Sequence, residues 1–410
     1  MTQSAPVAAP MAAPTARVAL GFASAAHTYS HMFVLFFATV VLVLERVWEL
    51  PYAELFALSI PGAVMYGVAA LPAGWLADRW SAAGMIAIFF IGTGVASILT
   101  GLARGPWELA AGLTAIGTFS AIYHPVGVPW LIKHSRNHGR ALGINGVFGS
   151  AGTAIAAIVA GGLADLWGWR AAFMVPGLIC LATGAAFVVA LRMGLIIEGE
   201  GEASPAPPAD AGDRRRAFAM LAITVVCSGL IYQVTAYALP KVFAERLIDF
   251  VGDSVWGIGG IVSLCYLVSS ASQILGGELA DRMSRKTVYV ASQFLQVPTY
   301  ALAFAIIGPA LIPVAAVMIS LNLMAQPAEN ALLARYTPLS WRGKVFGVKF
   351  LLTLGVSSIG LSLVPLIHAA TGSLDGLFIL LGLAAGLSFL AAAALPNERP
   401  ALIVTAESGD

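Results

Sequence analysis

Few side chains in this chain can carry a charge or a proton away from its loops, and their spacing is informative. His27 and His31 stand four residues apart, on one helical face, with Tyr29 offset and Met32 adjacent. His124 precedes Pro125, Glu329 follows Pro327 by two residues, and Lys349 lies 20 positions beyond Glu329 (349 − 329). All five fall inside long apolar runs. An ionisable group held away from water needs a partner or a function, which makes these the first candidates for chemistry. Imidazole gains and loses a proton near neutral pH, and Glu329 is the carboxylate set deepest in an apolar run away from the loops. Proton binding is therefore the chemistry they offer. Glu329 has a rival use as a fixed ion pair with Lys349, structural and gating rather than protonatable. His124 has one too: its ring can satisfy a carbonyl that Pro125 leaves unpaired in a kinked helix.

Three histidines and one carboxylate also match Zn²⁺ or Cu²⁺ ligation, which keeps transition-metal transport as a lesser alternative. Soft Cu(I) handling favours paired Met-x-x-x-Met spacing, and no apolar run has it. No resident metal and no cofactor are expected. A membrane enzyme would need an HExxH, a GxSxG or clustered carboxylates, and the sequence has none of them. Cys180, Cys227 and Cys265 lie in apolar runs without CxxC spacing and read as small packed hydrophobes.

The elements that must position these groups follow from composition. The chain has 410 residues, 59% hydrophobic and only 10% charged, with a mean hydropathy of +0.86. A soluble domain carries about 25% charged residues. Too little polar surface is available here to cover a water-soluble globule, so the lipid bilayer is the expected solvent. A net charge of +1 without long basic blocks argues against nucleic acid as a partner. Runs long enough to span a bilayer fall near 18–43, 54–77, 84–103, 107–132, 141–164 and 171–192. They resume near 217–240, 257–280, 287–307, 310–334, 345–367 and 375–395. The third and ninth carry no charge at all.

Orientation follows from the connections. Of 22 Lys and Arg, five (Arg46, Arg104, Arg170, Lys241 and Arg246) fall on one side and Lys349 lies within a span. The other sixteen (22 − 5 − 1) share the side of the N-terminus. The positive-inside rule then makes both termini cytoplasmic. Residues 1–16, rich in Ala and Pro, read as a disordered cytoplasmic tail rather than a cleaved leader, and 397–410 as a second tail. Residues 193–216 carry Glu198, Glu200 and Glu202, a Pro-rich stretch and Arg214-Arg215-Arg216, and read as a flexible cytoplasmic linker. His134 and His138 sit in a basic loop, and His368 near the outer end of the eleventh span reads as interfacial.

The chain also repeats itself. Gly74-Trp75-Leu76-Ala77-Asp78-Arg79 recurs as Gly277-Glu278-Leu279-Ala280-Asp281-Arg282, 203 residues on (281 − 78). His124-Pro125 matches Gln326-Pro327 at 202 (326 − 124), and Gly143 matches Gly347 at 204 (347 − 143). A near-constant offset in three segments argues for two homologous six-span halves, 17–192 and 217–396.

These residues resemble the major facilitator superfamily over roughly 17–396. The carrier is the family's Gly-x-x-x-Asp-Arg-x-x-Arg-Arg/Lys loop, found in full as Gly277, Asp281, Arg282, Arg285 and Lys286. The first copy keeps Gly74, Asp78 and Arg79 but has Ala82 and Ala83 where basic residues would sit. Gly permits close helix approach, and Asp can face a neighbouring helix N-terminus. The resemblance implies that Asp78 meets the segment at Arg140, and Asp281 that at Arg342–Lys344, locking the cytoplasmic side. Ala121-Ile122-Tyr123-His124-Pro125-Val126-Gly127 is similar to the span-4 signature of fosmidomycin-resistance-type exporters, while the fifth span lacks the Gly-Pro pair of the antiporter motif. The family's cavity is lined by spans 1, 4, 7 and 10. That implies convergence of His27, His31, His124 and Glu329, joined by Tyr232, Gln233, Gln326 and Asn330, with Lys349 at similar depth. Arg is absent from that set, which disfavours a phosphorylated substrate.

The expectation is thus an all-α membrane protein of twelve transmembrane helices in two pseudo-symmetric bundles, multi-pass in a bacterial inner membrane and monomeric. It moves a small organic molecule by alternating access, with protons as coupling ion and efflux as the direction. Glu329 and the histidines would take the protons. Uptake of a small organic acid or nutrient is the main alternative.

Overall fold

A membrane interior offers no water to backbone amides, so each apolar run must close its own hydrogen bonds as a helix. The computed structural model describes residues 13–135, 138–196, 211–338 and 341–397, and among them all twelve runs are helical with no strand. The N-half comprises α1 (Ala13–Trp48), α2 (Tyr52–Arg79), α3 (Ala82–Gly101), α4 (Pro106–Lys133), α5 (His138–Trp167) and α6 (Ala171–Arg192). The C-half comprises α7 (Ala211–Arg246), α8 (Val255–Arg282), α9 (Arg285–Ala305), α10 (Leu311–Tyr336), α11 (Arg342 to Thr371, in pieces) and α12 (Asp375–Ala393). Eleven are apolar and long enough to cross a membrane. The exception, α9, has 21 residues and carries Ser292, Gln293 and Gln296, all fully buried in its half.

Local chemistry sets the ends. The hydroxyls of Ser81 and Ser254 accept from the amides of Gly84 and Gly257, each at 2.9 Å, capping α3 and α8. Gly372, at φ 72°, takes the left-handed position that closes α11. The start of α7 differs from expectation. It begins at Ala211, so Arg214, Arg215 and Arg216 belong to its first turns rather than to the linker. Asp213 in that first turn suits the positive end of the helix dipole, and Arg216 donates to the Ala394 carbonyl at 2.8 Å. The rest of the linker, 197–210, and the tails 1–12 and 398–410 lie outside the described residues.

Three helices are interrupted, and the interruptions are not symmetric. In the N-half α2 restarts at Ile60 and Ala70, and α4 breaks between Ser120 and Tyr123, just ahead of Pro125. Its counterpart α10 runs unbroken through Pro327. In the C-half α11 passes through a π turn at Leu351–Val356 and a 3-10 turn at Gly360–Ser362. Ser357 Oγ donates to the carbonyls of Leu352 and Val226, both at 2.9 Å, holding the widened turn against α7.

The halves meet along α1–α7, α2–α11 and α5–α8. At the end of the bundle marked by Trp48 the contact is polar. Lys241 Nζ lies 2.8 Å from Glu45 Oε1, Arg46 donates to the Asp253 carbonyl at 3.0 Å, and the Trp256 amide donates to Asp165 at 2.8 Å. Midway, Tyr232 and Thr153 hydroxyls are 3.0 Å apart, and Gln273 donates to Ser150 at 3.0 Å. There α2 and α11 touch backbone to backbone: a Cβ at Gly67 would overlap Gly355. These hydrogen bonds and ion pairs between the halves lie from the Trp48 end to the middle. The opposite end, which carries the Asp78 and Asp281 loops, leaves both aspartates exposed.

Candidate functional site

The N-half site starts from α1. His27 is seated by two features of neighbouring helices: its ring stacks on Tyr123 at 4.8 Å and 25°, and Gly149 of α5 leaves it space that a Cβ would fill. Its Nδ1 is 2.7 Å from the Asn145 carbonyl. A carbonyl only accepts, which assigns the ring proton to Nδ1 and leaves a lone pair on Nε2. Asn145 is itself held by Tyr123, whose hydroxyl donates to Oδ1 at 2.8 Å. His124 places Nε2 3.1 Å from the Tyr66 hydroxyl and stacks its ring on Phe350 of α11 at 4.9 Å and 23°. His31 sits between them, 5.1 Å from the His27 ring and 5.2 Å from that of His124. It makes no hydrogen bond among the described residues. One ring nitrogen from each histidine lies within 4.8 Å of the others.

The C-half site is built differently. Glu329 Oε1 pairs with Lys349 Nζ at 2.7 Å, and its Oε2 accepts from the Tyr289 hydroxyl at 2.7 Å. Lys349 also donates to Asn330 Oδ1. Both charges are nearly out of contact with solvent, at 6% and 10% exposure, so each supplies most of the other's solvation. The carboxylate therefore takes the paired role rather than joining the imidazoles. The expected convergence of four ionisable groups is a cluster of three histidines with Glu329 outside it.

The neutral candidates scatter. Tyr232 bonds across the seam to Thr153, Gln233 donates to Ser358 at 2.7 Å within the C-half, Gln326 is half-buried, and Asn330 serves Lys349. At the loop repeats, Gly74 lies against Pro125, whereas Gly277 faces open space; its neighbour Gly276 is the one pressed on the Met324 backbone. Asp78, Arg79, Asp281 and Arg282 are exposed, with Arg79 4.6 Å over the Trp75 ring and Arg282 3.9 Å from Glu278. Arg285 is half-buried, and Lys286 donates to the Leu395 carbonyl at 2.6 Å and to Asn397 at 2.9 Å. The side chains of Arg140, Arg342 and Lys344 lie outside the described residues, and with them the contacts expected for Asp78 and Asp281.

Sequence reasoning missed Tyr66, Asn145, Tyr289 and Phe350. One signal was available for Asn145: it stands 204 positions before Lys349 (349 − 145), in the same place in the repeat. It also missed a polar cluster at the Trp48 end. There Lys241 reaches Glu45 and, at 3.7 Å, Glu245, and it lies 4.9 Å over the Tyr52 ring. His368, expected at the membrane interface, joins this cluster with Nε2 3.0 Å from Glu245.

The profile of the Major Facilitator Superfamily matches residues 20–250 and 221–410, which together take in nearly the whole chain. The chain belongs to the major facilitator superfamily. It is accordingly a multi-pass membrane transporter working by alternating access on a small-molecule substrate, and not an enzyme. A bacterial homologue of the human lysosomal transporter Spinster, in an inward-facing, unoccupied conformation, aligns with a TM-score of 0.79. Identity is 15%, over 95% of this chain and 100% of that one. The same homologue in an inward-facing, occupied conformation aligns with a TM-score of 0.73 at 14% identity, over 94% and 95%. At such identity the likeness concerns the fold. No curated protein matches the chain.

Proposed function

We propose that this transporter is proton-coupled and exports a small organic molecule across a bacterial inner membrane, as a monomer with both termini cytoplasmic. The observation that carries the coupling is the group of three imidazoles in mid-bundle, with ring nitrogens within 4.8 Å and no carboxylate among them. Such a group gains a net charge with each proton it takes, and that charge alters the relative stability of conformers that hydrate it differently. Glu329, neutralised by Lys349, serves as a fixed brace between α10 and α11. With the basic loops inside, the conformer closed at the Trp48 end faces the cytoplasm. The Ala121–Gly127 signature supports the fosmidomycin-resistance-type branch and hence export.

Export against protons requires that proton and substrate compete for the site. A second reading, proton-linked uptake of a small organic acid, is favoured by the same lack of a carboxylate, because protonated imidazoles would bind an anion cooperatively. The test begins with a thermal-shift screen of metabolites, antibiotics and metal ions, followed by transport of the hit into proteoliposomes with and without a pH gradient. Gradient-dependent transport that is lost in His27→Gln/His31→Gln/His124→Gln is expected. Transport undiminished in that variant contradicts the coupling site. Proton release on binding indicates exchange, and proton uptake indicates the second reading.

A further inference from the structure

Three features of the imidazole group exceed what a proton relay needs. His27 has its proton fixed on Nδ1 by the Asn145 carbonyl at 2.7 Å, and Asn145 is fixed in turn by Tyr123. That outer bond orients the ring and leaves Nε2 as a lone pair, the arrangement that metal-binding histidines use. His124 has an equivalent outer partner in the Tyr66 hydroxyl, 3.1 Å from Nε2, which frees Nδ1 when Nε2 is the donor. His31 is half-buried and has no hydrogen-bond partner among the described residues, which leaves its lone-pair nitrogen open to a ligand.

We infer that His27, His31 and His124 form a three-nitrogen site for a divalent transition-metal ion, Zn²⁺ foremost, carried with a ligand of its own in the fourth position. Tetrahedral Zn²⁺ with Zn–N near 2.0–2.1 Å places its ligand atoms about 3.4 Å apart. One ring nitrogen of each histidine already lies within 4.8 Å of the others, so side-chain shifts of about an ångström at the donor atoms bring the set to that spacing. Imidazole suits Zn²⁺, Cu²⁺ and Ni²⁺ over the hard cations. The double charge must be offset, and Glu329 is committed to Lys349 and Tyr289, so the fourth ligand is an anionic group supplied by the cargo. Metal and protons compete for the same three nitrogens, which makes exchange of one for the other a property of the site. The inference rests on the proposed transport reading and narrows its cargo to a metal ion held by a small organic anion.

The experiment is titration of the purified full chain in detergent with cobalt chloride, read by visible absorption and reversed by zinc chloride. One Co²⁺ per chain with a tetrahedral nitrogen-ligand spectrum is expected, weakened about tenfold or more in His31→Ala. His31 is chosen because its removal breaks no hydrogen bond, and unchanged thermal unfolding verifies folding. His368→Ala, at the far cluster, leaves the titration unchanged. Absence of Co²⁺ binding, or binding indifferent to His31→Ala, overturns the inference. Transport in the presence of a strong chelator separates the two claims. Histidine-dependent, gradient-driven transport that persists with the chelator overturns the metal site and leaves the coupling reading standing. Co²⁺ bound at the histidines without any gradient dependence supports the site and removes the coupling.

Discussion

The two halves put opposite chemistry at the same places in the repeat. Where the C-half has Lys349 the N-half has Asn145, and where it has Glu329 the N-half has Gly127, 202 positions earlier (329 − 127). The C-half carries two full charges and cancels them at 2.7 Å, with Tyr289 and Asn330 taking up the remaining hydrogen-bonding capacity. The N-half carries three imidazoles with no carboxylate within their group. A balanced pair resists change, since altering either member strands the other in a dry site. An unbalanced group responds to any ion or proton that arrives. On the proposed reading, duplication of one scaffold has yielded a brace in one half and a receptive site in the other.

The largest expected effect breaks the brace. Glu329→Gln strands the Lys349 ammonium and should cost about 3–5 kcal/mol in thermal unfolding, whereas Glu329→Gln/Lys349→Gln should recover most of it. Equal losses in the single and double variants would show that the pair is not balanced. Next comes the seam. Gly67→Leu forces a side chain into the Gly355 backbone and should disfavour the conformer closed at the Trp48 end by about 1–3 kcal/mol. The readout is faster labelling of a cysteine placed at Phe56, over a low background because Cys180, Cys227 and Cys265 are buried. Lys241→Met should act in the same assay and direction but less, about 1 kcal/mol or under, since Glu45 and Glu245 are partly solvated. The smallest effect on stability sharpens the contrast most. His31→Leu should change unfolding by no more than about 0.5–1 kcal/mol, because it removes no hydrogen bond, while proton-dependent transport is lost.

Much of this was legible in the residues. Twelve apolar runs, a 203-residue repeat and the Asp-Arg loops point to the architecture without any coordinates. His27 and His31 were marked by helical spacing and His124 by its place before Pro125. Membrane burial singles out such rare groups. What remained hidden depends on contacts between distant segments. No local signal tells that Asn145 orients His27 through its backbone, or that Phe350 of the opposite half stacks on His124. Glu329 illustrates the limit well, since both of its roles were readable and only the 2.7 Å contact with Lys349 decides between them. Helix α7 starts at Ala211, ahead of the apolar run: an Arg triplet reads as a polar boundary in sequence, yet long charged side chains extend from the first turns of a helix at little cost. The interruption of α11 also had no sequence marker, because a π turn needs neither Pro nor a charge.

The central claim is that the N-half imidazoles respond to protons and the C-half pair does not. Spin labels at Trp107→Cys and Phe250→Cys, exposed positions on the N-half and C-half, report the separation of the halves at the Trp48 end. The background should carry His368→Gln, which removes the imidazole of the far cluster. When the pH is lowered from about 8 to about 4, through and below the range of a free imidazole, the distance distribution should shift in the parent. It should shift equally in Glu329→Gln/Lys349→Gln and stay fixed in His27→Gln/His31→Gln/His124→Gln. A shift that survives loss of the three histidines, or vanishes with loss of the pair, would contradict the account.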